Sequence, residues 1–455
     1  MHYLSTRNSE INESFLNILF QGLSKEGGLF LPSEWPSVSV KNLYDKSYNE
    51  VALEIIYPFI KDNISKNDLQ LIINKTYQNF DNKNIAPLVE IEKNKFILEL
   101  FYGPTFAFKD YALQLLGNLF SHLLEKSNRK ITILGATSGD TGSAAIEAFK
   151  GKNNIEVFIL HPHKKISEVQ RRQMTTVLDK NVNNIALKGT FDNCQKIVKD
   201  LFVDSINQSQ NSLVAVNSIN FARLIFQTVY YFWAYIQSKQ QKVSFVVPSG
   251  NFGNIFSARI AKFMGLPIEK LHIVTNSNDI LHRTIKDGKM KINEVQQTYS
   301  PSMDIQISSN FERQLFESSK RNSQKIIEIM NSFFKKNEEN LSDDILNDLQ
   351  SIYTSHAVSN SETLKTINHY KKEYDYLSDP HTATGLFVLN KISNENPTIS
   401  LACAHPAKFS DAIFKATNEK PFIPERLKKI FDQKEKMTIL DNDFEKVKLH
   451  IKNKL

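Results

Sequence analysis

The run Val243-Ser244-Phe245-Val246-Val247 leads through Pro248-Ser249-Gly250-Asn251-Phe252-Gly253-Asn254 directly into a helix-length apolar pattern at 255–264. A strand of β-branched and aromatic residues that is apolar on both faces must be covered on both faces, as a central strand of a parallel sheet is. Parallel neighbours in turn require crossover connections, so the chain must be built from βαβ units. Further short apolar runs at 95–100, 131–136, 155–160, 185–187, 213–216, 271–274 and 398–402 alternate with helical patterns at 143–149, after Ser167, and at 221–236. The expected fold class is α/β, with mostly parallel sheets and flanking helices. In such sheets ligands lie beyond the carboxyl ends of the strands, which is where the Gly-bearing loops of this chain fall.

Residues 1–84 read differently. Helical patterns around 15–23, 51–60 and 69–80 surround a short extended segment, Leu29-Phe30-Leu31-Pro32, and the polar stretch Asp81-Asn82-Lys83-Asn84 closes the unit. This predicts a mainly helical N-terminal domain at 1–84 before a larger region at 85–455, which contains a smaller α/β subdomain around 110–225. Residues 320–376 read as helical and charge-rich with few strand signals, and a Lys- and Glu-rich helical tail follows 402.

Composition excludes several classes. The chain has 455 residues, 41% of them hydrophobic and 23% charged, which is the balance of a globular protein. No apolar run is long enough to span a membrane, and Met1 to Asn8 lacks the apolar stretch of a secretory signal. Two cysteines, Cys194 and Cys403, make neither a disulfide framework nor a cysteine-rich metal site, and no histidines have zinc spacing, so no metal is assigned and a reducing cytoplasm is expected. The net charge of +7 is spread over lysines that alternate with Glu, Asp and Asn. That pattern reads as solvated helix faces rather than a nucleic-acid surface.

Five loops and a lysine carry chemical potential. In the loop Ser249 to Asn254, two glycines between a buried strand and a helix let backbone N–H groups converge on one oxyanion, as a phosphate requires. The loop Thr137-Ser138-Gly139-Asp140-Thr141-Gly142 has the same design, although capping by Ser138, Asp140 or Thr141 accounts for it equally well. Asp140-Thr141-Gly142-Ser143 also spells the aspartic-protease signature, but a single copy before a helix in an α/β chain does not make that enzyme. Asn217-Ser218-Ile219-Asn220-Phe221-Ala222-Arg223 combines an amide, a hydroxyl and a guanidinium at a helix start; a second anion clamp and a capped helix with a solvated Arg are both open. Asp379-Pro380-His381-Thr382-Ala383-Thr384-Gly385 precedes another helix, and His405-Pro406-Ala407-Lys408-Phe409 follows the last strand. Lys109, in Phe106-Ala107-Phe108-Lys109-Asp110, opens a helix between two phenylalanines. The helix dipole and desolvation both favour its neutral amine, which is the form that condenses with an aldehyde. A lysine snorkelling past Phe is the plainer alternative.

Taken together and in this order, the stretches 101–110, 137–142, 217–223, 249–254, 302–305, 309–313, 379–385 and 405–409 resemble the threonine synthase family. The start, Tyr3-Leu4-Ser5-Thr6-Arg7 and Gly22 to Pro32, is similar to the N-terminal domain of its longer members. The resemblance covers residues 1 to about 410. Tyr102 stands where His is expected, Asn8 where Gly is expected, and Cys403 where Thr is expected.

This resemblance implies a fold-type II pyridoxal-phosphate enzyme, tryptophan synthase β-like, a carbon–oxygen lyase. It implies that Lys109 carries pyridoxal 5'-phosphate as a Schiff base, that Gly250, Asn251, Phe252, Gly253 and Asn254 hold the cofactor phosphate, and that Thr382 meets the pyridine nitrogen. The implied substrate is O-phospho-L-homoserine, converted with water to L-threonine and phosphate in the last step of threonine biosynthesis. Its carboxylate would meet Ser138, Gly139, Asp140 and Thr141, and its phosphate Asn217, Ser218 and Arg223. A cytoplasmic monomer or homodimer without nucleic-acid or membrane partners is expected. Two rival readings are a pyridoxal-phosphate lyase of other specificity (a phospholyase or dehydratase) and a non-enzymatic binder on the same fold. The clamp at 217–223 argues against a dehydratase, and an intact Lys109 against a binder.

Overall fold

Two sheets carry the fold in this computed structural model, which describes residues 1–127, 129–205, 212–393 and 395–455. The larger has six strands in the order Tyr353–Ala357, Ile268–Thr275, Val243–Pro248, Thr398–Ala402, Lys95–Glu99 and Leu88–Glu92. Its first five strands run parallel, and Leu88–Glu92 closes the edge antiparallel to Lys95–Glu99. The smaller sheet is parallel throughout, in the order Thr438–Asp441, Val182–Lys188, Ile155–Pro162, Ile131–Ala136 and Ser212–Val214. The expected βαβ alternation is present. Val243–Pro248 is buried along its whole length, as its two apolar faces require.

Strands at sheet margins depart from the sequence reading. Tyr353–Ala357 lies within the stretch read as helical, and Thr438–Asp441 within the helical tail. Each is an edge strand, where one side of the ladder and one face escape burial, so the apolar signature is weak. The N-terminal region holds helices Phe15–Gln21, Tyr48–Ile60 and Lys66–Tyr77, together with a three-stranded antiparallel sheet of Asn8–Glu13, Tyr3–Ser5 and Phe30–Pro32.

A single apolar core runs from that region into the large sheet. Its hub is helix Phe221–Ser238, buried on nearly every face. Phe221 meets Tyr3 edge-on at 5.8 Å and Phe59 at 6.3 Å between ring centroids. Arg313, fully buried, extends the link by donating Nε to the Phe30 carbonyl at 3.0 Å and Nη2 to the Ile219 carbonyl at 2.7 Å. Glu312 beside it accepts from Arg7 Nη2 at 2.8 Å and Thr6 Oγ1 at 2.6 Å. The N-terminal strands therefore brace the turn that enters the Arg223 helix.

The Lys109 helix, Lys109–Ser127, lies against helix Asp140–Phe149 of the small lobe. Their closest approach is at Gly117, where a Cβ would stand 2.3 Å from the Ala148 carbonyl oxygen. Backbone cannot yield there as a flexible side chain would, so Gly117→Ala is expected to destabilise the protein by about 1–3 kcal/mol through overpacking. Chemical denaturation monitored by tryptophan fluorescence reads this; a midpoint equal to the parent's would show that the helices separate freely. No helix among the described residues is long and apolar enough to cross a membrane.

Candidate active site

Every loop singled out above except the one at 379–385 leaves the carboxyl end of a strand, and loops of the two sheets meet at one site, where Lys109 and Lys408 both approach Asp140. Lys109 stands in it as the first residue of its helix, 8% exposed. The turn before it is held from the large sheet. Phe108 N–H donates to the Cys403 carbonyl at 2.8 Å, His405 N–H donates to the Phe106 carbonyl at 3.0 Å, and Ala107 forms a bridge with Ala404. Phe106 takes a left-handed conformation, φ 60°, which a bulky residue adopts only where its surroundings impose it. Asp110 locks the turn from the other side by accepting from Thr105 N–H and Thr105 Oγ1, both at 2.8 Å. Burial pushes the Asp110 carboxyl up to about 6 despite those bonds.

The Lys109 amine is 3.9 Å from Asp140 Oδ2 and 4.6 Å from the centre of the Phe108 ring. Burial pushes its pKa below the usual lysine value; Asp140 and Cys403 oppose the shift, and Lys408 and Arg223 reinforce it. The shift runs in the direction inferred from the aromatic flanks, toward the neutral amine. Snorkelling does not describe a side chain this deeply buried.

At Ser249 to Asn254 the strand ends in a tight turn. Phe252 is left-handed, φ 59°, and helix Gly253–Phe263 starts directly after it, so its first N–H groups lack intrahelical partners. Gly250 lies under Met303, where a Cβ would come 3.1 Å from the Met303 Cα. Asn254 accepts at Oδ1 from the hydroxyls of Tyr230 and Tyr231, while its Nδ2 is buried without a hydrogen-bond partner. A buried amide with its oxygen committed and its donors free matches an anion such as a phosphate.

The turn at 217–223 closes on that loop, since a Cβ on Gly253 would lie 3.6 Å from the Ser218 Cβ. Asn220 caps the helix, accepting from Ala222 N–H at 3.1 Å, so the capped-helix reading holds in part. Arg223 is not solvated, however. It is buried, donates Nη1 to the Val216 carbonyl at 3.0 Å, and leaves Nε without a partner. Burial pushes its pKa down to about 10, so it stays cationic at neutral pH. Ser218 is half-buried and Asn217 exposed at the mouth of the turn.

In the small lobe the Thr137 hydroxyl accepts the N–H groups of Gly139 at 2.9 Å and Gly142 at 2.8 Å. Neither Ser138, Asp140 nor Thr141 caps this helix. Gly139 has φ 146° and presses on Gln170, where a Cβ would meet the side-chain amide carbon at 2.4 Å. The Asp140 carboxylate accepts at Oδ1 from Lys408 Nζ at 2.8 Å and Gln170 Nε2 at 2.9 Å. Burial alone would raise the Asp140 pKa, but Lys408 and then Lys109 hold it well below the usual carboxylate range. Lys408 and Gln170 were not among the site residues expected from sequence. Lys408 lies in a motif legible beforehand, but its aim into the site depends on a contact across the whole chain.

Thr382 sits in the first turn of helix Pro380–Lys391, which Asp379 caps. Its oxygen donates to Asp379 and accepts the Cys403 N–H at 2.8 Å. Cys403 thus contributes through its backbone, N–H to Thr382 and carbonyl to Phe108, and the exchange from Thr leaves both contacts in place. Tyr102 donates to Glu99 at 2.7 Å, and Asn8 lies in an exposed strand at a φ that does not call for glycine.

A buried lysine whose pKa is pushed down, a helix start with a free amide donor, and a pinned threonine hydroxyl fit a phosphorylated aldehyde cofactor. Comparison with known proteins agrees. The pattern described as pyridoxal-phosphate dependent enzyme matches residues 86–403, that of threonine synthase N terminus residues 2–77, and that of threonine synthase, C-terminal, residues 382–451. The chain is 41% identical to threonine synthase of Pseudomonas aeruginosa, over 99% of this chain and 98% of that one. It is 42% identical to that of Saccharomyces cerevisiae, over 100% and 98%. The crystal structure of pyridoxal-phosphate-bound threonine synthase from Brucella melitensis superposes with a TM-score of 0.96 at 42% identity, covering 100% of this chain and 99% of that one. The fold and the site define a pyridoxal-phosphate-dependent enzyme of fold type II. Identity at this level over the full length narrows the class, and the chain belongs to the threonine synthase family.

Proposed function

We propose that this site converts O-phospho-L-homoserine and water to L-threonine and phosphate, with the labour divided among the residues described. The observation that carries the proposal is the buried Lys109, 3.9 Å from the Asp140 carboxylate, flanked by unpaired anion donors at Asn254 Nδ2 and Arg223 Nε. One set suits the cofactor phosphate and the other the phosphate of the substrate. Pyridoxal phosphate, when bound, supplies an electron sink that eases proton loss from the substrate carbons.

Lys109 would carry the cofactor, joined by the Gly250 to Asn254 loop at its phosphate and by Thr382 at its ring nitrogen, once the Thr382 hydroxyl turns there from Asp379. Once freed by the incoming substrate amine, the neutral Lys109 amine takes the proton from Cα and later one from Cβ. Arg223, with Ser218 and Asn217, orients the γ-phosphate and receives its charge as the C–O bond breaks. The backbone N–H groups of Ser138 and Thr141 suit the substrate carboxylate, while Gly139, its own N–H given to Thr137 Oγ1, shapes the loop around it. Asp140 assists only through its main chain, since its own carboxylate is turned to Lys408. Water then adds at Cβ, and protons return to Cγ and Cα.

The test is the product. Incubation with O-phospho-L-homoserine is expected to release phosphate and threonine in equal amounts. Phosphate accompanied by a keto acid would assign the site to a phospholyase instead.

A further inference from the structure

Lys408 reaches the site from the lobe opposite Asp140. It follows strand Thr398–Ala402 of the large sheet in the short helix Pro406–Phe409, and its side chain is 1% exposed. Its ammonium donates at 2.8 Å to the Thr105 carbonyl and at 2.8 Å to Asp140 Oδ1. Gln170 Nε2 holds the same Oδ1 at 2.9 Å, so the carboxylate is drawn toward Lys408 while its other oxygen stays 3.9 Å from Lys109. Of the two lysines, the close contact of the carboxylate, 2.8 Å against 3.9 Å, is with Lys408.

We propose that Lys408 is a positioning residue that keeps Lys109 in its uncharged, nucleophilic form by engaging Asp140 as its own counter-ion. The inference rests on the assignment of Lys109 as the cofactor lysine. The groups that face Lys109 are Asp140 and Cys403, which favour its cation, and Lys408 and Arg223, which oppose it. Asp140 is faced by Lys408, Lys109, His381 and Gln170. Removing Lys408 deletes one repulsive charge and releases Asp140 to Lys109, and both changes stabilise the Lys109 ammonium. The Lys408 bond to the Thr105 carbonyl ties this effect to the turn, because Thr105 anchors Asp110 in the same helix start.

The test uses the full-length protein, stripped of cofactor with hydroxylamine and recharged with pyridoxal phosphate at a series of pH values. Recharging forms a bond from the Lys109 nitrogen to the aldehyde carbon and expels the carbonyl oxygen as water; only the uncharged amine attacks. The rate, read from visible absorbance, therefore rises with pH through the Lys109 midpoint to a plateau. Lys408→Met is expected to move that midpoint up by about one pH unit or more, slowing recharging roughly tenfold on the acid side. Asp140→Asn moves it down, Lys408→Arg leaves it near the parent, and the double variant Lys408→Met/Asp140→Asn returns it toward the parent. A Lys408→Met protein with the parent midpoint, whatever its plateau, overturns the proposal and makes Lys408 a purely structural clasp. Should Lys408→Met not fold, Asp140→Asn and the double variant decide, and an unmoved midpoint in Asp140→Asn refutes the idea. Failure of the Lys109 assignment is recognised separately, because borohydride would then fix the parent's cofactor on another lysine.

Discussion

Lys109→Ala is expected to lose all borohydride-trappable cofactor and to form threonine at least about ten-thousand-fold more slowly than the parent. The single amine is assigned three tasks, cofactor anchor and acceptor of two protons, and general-base catalysis alone contributes up to about that factor. The fold should survive, because the amine stands 3.9 Å from its nearest ionic partner and its removal takes a costly group out of a buried site. Circular dichroism and a thermal scan control for that. A trapped adduct persisting in Lys109→Ala would move the anchor to another lysine, and Lys408 is the first to examine, since it lies in the same cleft.

Arg223→Ala is expected to raise the KM for O-phospho-L-homoserine by roughly 30- to 140-fold while cofactor retention changes little. A charge-assisted, bidentate contact to phosphate is worth about 2–3 kcal/mol when buried, and each 1.4 kcal/mol corresponds to about tenfold. The unpartnered Nε and the persisting cationic charge are the groups lost. Arg223→Lys should recover part of the loss as a point charge without the fork. Steady-state kinetics beside the visible spectrum of the holoenzyme separate the two effects. Equal loss of substrate affinity and cofactor would place Arg223 on the cofactor.

The central strands were legible because burial on both faces writes a continuous β-branched run, as in Ile131–Ala136 and Val243–Pro248, each followed by a glycine-bearing turn. The margins were not. Asn8–Glu13 is mostly exposed and polar, and Tyr353–Ala357 carries Ser and His in an edge position, so neither bears a two-faced apolar signal. The loops of the site could be located because strand–turn–helix grammar is local. What each side chain does inside them is not local. Asp140 reads as a cap or an anion contact from its neighbours, and only Lys408 and Gln170 show its carboxylate to be occupied elsewhere. The Lys408 bond to Thr105 spans 303 residues, and no pattern of spacing announces it.

The bridge between Ala107 and Ala404 has a consequence for how the protein comes into being. The turn that presents Lys109 is made in the first quarter of the chain, yet the backbone that holds it in its strained form belongs to residues 403–405 near the other end. Strand Lys95–Glu99 likewise waits for Thr398–Ala402 as its parallel neighbour. A chain still emerging from the ribosome therefore exposes one free edge of strand Lys95–Glu99, paired only with Leu88–Glu92, and an unformed lysine turn until residues 398–405 have been made. Cofactor capture is expected only after residues 403–405 have been made, and nascent chains truncated before 398 are the ones most in need of chaperone protection.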